Sequence, residues 1–166
     1  MSVRSITFHP LTVLLFSLIG ASLYTFYATL RYSGDNLSGI YFYVVPIVIP
    51  FVAFLFDRAE RFRQSNLIRL AVDILVVGTA MWRVIGNVPF ISGHALFLTY
   101  ALLSTRSRVA QITAGIVLLQ VIYLKYIVWH DWITPTSGIV LGMIAALITR
   151  RFGKTDGEWI MPRATI

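Results

Sequence analysis

Six long apolar blocks, separated by short and mostly basic stretches, limit what this chain can fold into. They run over about 10–30, 37–56, 67–85, 89–103, 109–129 and 133–148. A helix of about 20 apolar residues spans the roughly 30 Å hydrocarbon layer of a bilayer. A water-soluble domain of 166 residues has too little interior to hide a chain that is 57% hydrophobic and 13% charged, with a mean hydropathy of +0.77. The expected fold is all-α: a six-transmembrane-helix bundle over 1–149, followed by a basic polar tail over 150–166. The first block lacks a short apolar core with a small-residue exit, so it reads as a retained helix and not a cleaved signal. Pro46 and Pro50 predict a kink in the second, since each removes an N–H from the ladder.

The basic residues test the count of six. If every block crosses, eleven of the 14 Lys and Arg fall on the side that carries both termini; Arg31, Arg83 and Lys125 fall on the other. The positive-inside rule makes the richer side cytoplasmic. Were the short fourth block not to cross, Arg106 and Arg108 would change sides. The net charge of +7 therefore sets topology; it is spread between apolar blocks and does not form one face for nucleic acid. With no cysteine, disulfides, thiol nucleophiles and Cys-based metal sites are excluded. No repeat or linker marks a second domain, and nothing in the sequence sets the oligomeric state.

This topology gathers most chemically capable residues at the extracytoplasmic end. Ser92, Gly93 and His94 stand at the mouth of the fourth block, and His130 and Asp131 at the end of the fifth. Ser92 suits a helix N-cap. The same helix start offers unpaired amides and a positive dipole end to a phosphate, and Gly93 allows close approach. His130 sits between Trp129 and Trp132, as an interfacial aromatic belt would place it, yet an imidazole also serves as nucleophile or proton carrier. Arg83 and Lys125 either snorkel to the interface or hold an anion. Two His and an Asp suit zinc, but no H-E-x-x-H or similar spacing is present, so no metal or cofactor is expected. Asp73 lies about 9 Å into the third block from the other end and pairs most simply with Arg69, four residues earlier. His9 falls on that cytoplasmic side without an evident partner. Gly138 and Gly142 form a G-x-x-x-G face for close helix packing.

These residues resemble the phosphatidic acid phosphatase type 2 superfamily, six-helix membrane phosphatases with the motifs K-x(6)-R-P, P-S-G-H and S-R-x(5)-H-x(3)-D. Here F-I-S-G-H is similar to the second motif, with Ile91 for Pro. One helix, a basic turn at Ser104 to Arg108 and a second helix ending at His130 follow in the family's order, then the Gly-bearing G-I-V-L-G segment. The resemblance covers roughly 83–147. It implies that His130 takes the phosphoryl group, His94 protonates the leaving oxygen, and Ser92 and Gly93 hold phosphate oxygens without a metal. Arg83 and Lys125 would add charge to the clamp and Asp131 would orient His130. K-x(6)-R-P has no counterpart, Leu124 stands at the third motif's Arg position, and Thr134 stands at its Asp position. The expected function is hydrolysis of a lipid phosphate or diphosphate at the extracytoplasmic face. The alternative is a non-catalytic accessory, lipid-binding or transport protein that keeps the bundle. Membrane lipids are the expected partners in both.

Overall fold

The computed structural model describes residues 10–31, 40–60, 66–86 and 90–152. Among them the chain is all-helical: α1 (Pro10–Arg31), α2 (Ile40–Glu60), α3 (Leu67–Gly86), α4 (Gly93–Ser104), α5 (Arg108–Tyr123) and α6 (Ile133–Phe152). A π-helical turn, Leu124–Val128, continues α5. Two stretches, Arg108–Ile127 and Ile133–Phe152, are long and apolar enough to cross a membrane. The six expected segments match the six helices closely. α2 runs unbroken through Pro46 and Pro50 to Glu60. α6 carries Arg150 and Arg151 inside its last turn.

α4 is the centre of the bundle. It is apolar on every side, and a helix of that kind must be covered on every side. α6, α5, α3 and α2 all pack against it, while α1 lies against α5 and α2. Leu96, Phe97, Leu98, Tyr100 and Ala101 are almost fully buried. The Phe97 ring meets Phe54 edge-on at 5.4 Å and Phe51 at 5.6 Å, an arrangement favoured by the ring quadrupoles.

Small residues let α6 reach α4. A Cβ at Gly138 would stand 2.6 Å from the Ser92 carbonyl oxygen, and one at Gly142 2.7 Å from that of Leu96. The G-x-x-x-G face is thus spent inside the chain, backbone against backbone. The outward faces are apolar: Ile74, Leu75 and Trp82 on α3 and Ile144 and Leu147 on α6 are exposed.

Candidate functional site

The Ser92 end of α4 is sealed. Ser92 is 0% exposed. Its hydroxyl accepts from the Ala95 amide at 3.4 Å, as an N-cap does, and its own N–H donates to the Thr134 carbonyl on α6 at 2.9 Å. The Ser137 hydroxyl, one turn along α6, donates to the Phe90 carbonyl. Gly93 is buried, and a Cβ there would come within 2.6 Å of the Ala80 carbonyl oxygen on α3. Glycine is required because two backbones touch. His94 follows on the first turn, half-buried.

Asp131 is committed to holding the start of α6. Its carboxylate accepts from the Thr134 amide at 3.1 Å and from the Thr134 hydroxyl, and pairs with the Lys125 ammonium at 2.9 Å. Burial pushes the carboxyl up, but the Thr134 hydroxyl, the Lys125 hydrogen bond, the Thr134 amide and the Lys125 charge outweigh it and pull the pKa down to about 2. Lys125 also lies 5.3 Å from the Trp129 ring centre, and Tyr126 stacks on Trp132 at 4.7 Å.

His130 is exposed, with φ at +50°, the only non-glycine positive φ among the described residues. The π turn closes through Trp129 N–H to the Leu124 carbonyl, and Asp131 N–H reaches back to that of Lys125. This puts His130 at the left-handed position that ends many helices and usually belongs to Gly. The Asp131 carboxylate bonds Lys125 and Thr134 and, among the described residues, does not bond the His130 ring.

Ser92, Lys125 and Asp131 therefore converge on the first turn of α6, and His130 adjoins them. Arg83 falls in the last turn of α3, but its side chain lies outside the described residues, as does His9. Among the described residues no three His, Asp or Glu side chains gather closely enough to hold a metal ion.

A second polar cluster lies at the opposite end of α4. Arg58 on α2 donates to the Ser104 hydroxyl at 2.8 Å, to the Ser104 carbonyl at 3.3 Å and to the Tyr100 hydroxyl at 3.4 Å. Its Nε lies 2.9 Å from the Asp73 carboxylate on α3. Tyr100 donates to the other Asp73 oxygen, and its hydroxyl lies 3.1 Å from that of Thr149 on α6. Asp57 accepts the Ser107 and Arg106 amides at 2.9 and 3.2 Å, which fastens the α4–α5 turn. Arg150 places two N–H groups on the Leu103 carbonyl, at 2.8 and 3.1 Å.

Asp73 thus binds across helices to Arg58 and Tyr100, where the sequence reading looked only along α3 to Arg69. The missed signal was depth. Antiparallel helices put the last turns of α2, α4 and α6 level with the early turns of α3, so Arg58, Asp73, Tyr100 and Thr149 share one height.

Chemically, the Ser92 end offers an exposed imidazole beside a neutralised Lys–Asp pair. The Arg58 end is a hydrogen-bonded clamp across four helices. Comparison with family models, curated proteins and solved structures finds no match to this chain.

Proposed function

We propose that the chain is a multi-pass integral membrane protein with both termini cytoplasmic, and that its phosphatase-like bundle binds lipid or a partner without hydrolysing phosphate esters. The membrane part draws support from the apolar outward faces and from the six described arginines with described side chains, Arg58, Arg69, Arg106, Arg108, Arg150 and Arg151, all at one end.

One observation carries the non-hydrolytic part: the seats of Ser92 and Gly93. A phosphate held by the Ser92 hydroxyl and the Gly93 amide would have to reach a Ser92 that is fully buried with its hydroxyl on the Ala95 amide, and a buried Gly93 packed against the Ala80 backbone. Lys125 and Asp131 lend consistent support, since each neutralises the other.

A second reading keeps hydrolysis, and the exposed, left-handed His130 favours it, because strained backbone tends to persist where the side chain has work to do. In that reading the His130 ring attacks phosphorus while the leaving oxygen takes a proton from His94. Water then splits the phosphohistidine, at the extracytoplasmic face.

One substitution separates the two. His130→Gly suits a φ of +50° and leaves the helix end intact. Purified protein in detergent should release no phosphate from phosphatidate or an isoprenyl diphosphate and retain no acid-labile phosphate label. Release above background that His130→Gly abolishes, with the unfolding temperature kept, would overturn the non-hydrolytic reading.

A further inference from the structure

The arginines at the Arg58 end divide into two kinds. Arg58 is turned inward and spent on Ser104, Tyr100 and Asp73. Arg106, Arg108, Arg150 and Arg151 are exposed. The bond from Arg150 to the Leu103 carbonyl joins the end of α6 to the last turn of α4, just before the turn with Arg106 and the α5 start at Arg108, so the four gather at this end of α4. Asp57 and Asp73 are engaged by Ser107 and Arg106 amides and by Arg58, and among the described residues Glu60 is the one exposed carboxylate at this end.

We propose that this cluster binds the phosphate groups of anionic phospholipids in the adjoining leaflet. Guanidinium groups pair with phosphate oxygens through two parallel N–H bonds, and clustered Arg beside a membrane helix attracts anionic lipid. What lies below the cluster selects a lipid over a free anion or an acidic peptide. Going back along α6 from Arg151, Leu147 and Ile144 share its face and are exposed. Along α5 from Arg108, Ile112 and Leu119 do the same. Arg151 and Arg108 thus each cap an exposed aliphatic strip, which matches a phosphate with acyl chains beneath it. At the α5 start the Ser107 hydroxyl already caps the Ala110 amide, and Asp57 takes the Arg106 and Ser107 amides of the turn before it.

The inference rests on the membrane reading but not on either account of His130. The test uses the full chain in nanodiscs of phosphatidylcholine, with and without phosphatidylglycerol. Phosphatidylglycerol should raise the unfolding temperature by about 5 °C, less at high salt. The combined Arg106→Gln, Arg108→Gln and Arg151→Gln variant should lose that rise and, in native mass spectra, retain fewer phosphatidylglycerol molecules. Arg150 is left in place because it holds Leu103. The same three positions changed to Lys should keep most of the rise. Equal unfolding temperatures in the two nanodiscs, or a rise that survives the Gln variant, would overturn the proposal. So would an equal rise from inorganic phosphate in phosphatidylcholine discs, which would assign the cluster to a free anion. Failure of the chain to enter nanodiscs at all would instead sink the membrane reading.

Discussion

Asp131 shows how one side chain is fixed by what it touches. Its carboxyl sits at about 2 against an ordinary 3.8 because Thr134 and Lys125 favour the charged form more strongly than burial opposes it. A folded pKa below the unfolded one contributes stability that is complete above the ordinary value and is lost as pH falls from about 4 towards 2. The unfolding temperature should therefore hold from neutral pH to about pH 4 and then drop. Asp131→Asn should remove most of that drop, and Lys125→Met should make it smaller and end it at a higher pH. A pH series of thermal melts on the three proteins checks this, and identical acid limbs would refute it.

At the scale of elements, α4 is the part that needs explaining. Twelve residues make a helix of about 18 Å, short against a hydrocarbon layer of about 30 Å. Its ends must find partners inside the protein, because helix termini leave amides and carbonyls unpaired. At the start, Ser92 caps and Thr134 and Ser137 tie the entry to α6. At the finish, Arg150 and Arg58 reach the Leu103 and Ser104 carbonyls, and cations there also suit the helix dipole. The close seating of α6 makes this possible. Gly142→Ala would drive a methyl against the Leu96 carbonyl and the Thr99 side chain. It should cost about 1–3 kcal/mol of stability by overpacking, read as a lower unfolding temperature in detergent. Gly78→Ala, where a Cβ meets nothing within 4 Å, is the matched control and should be neutral or mildly stabilising. A Gly142→Ala protein as stable as the control would disprove the backbone contact.

Across the whole molecule, the Arg58 clamp joins α2, α3, α4 and α6. Removing one member of a buried ion pair leaves the other charged and unpaired, so Arg58→Met should cost about 3–5 kcal/mol. Replacing both members with apolar residues is far milder, so Arg58→Met with Asp73→Leu should recover a large part of that loss. Thermal or denaturant unfolding of the two proteins gives the answer. A double variant no better than the single would mean that the clamp acts through Ser104 and Tyr100 and not through the ion pair.

The helices were legible in the sequence because apolar run length is a local property, but not all their ends: α2 and α6 run on to Glu60 and Phe152 past the apolar blocks, and α4 starts only at Gly93. The short α4, the turn after Ser104 and the G-x-x-x-G packing face were readable for that reason. The gathering of the arginines with described side chains at one end followed from counting blocks, since each successive helix reverses the chain. What Ser92 and Gly93 do depended on which helices lie beside them, and that is a matter of contact. A serine before an apolar run reads equally as a cap or as a phosphate ligand, and only the folded chain shows that its hydroxyl is buried on the Ala95 amide. Asp73 looked local because its nearest charge along the chain was Arg69. Its bonds to Arg58, 15 residues earlier, and to Tyr100, 27 residues later, exist only because three helices bring these groups to one height. Helix formation is decided within a few residues, whereas the partner of a buried polar group is decided by packing.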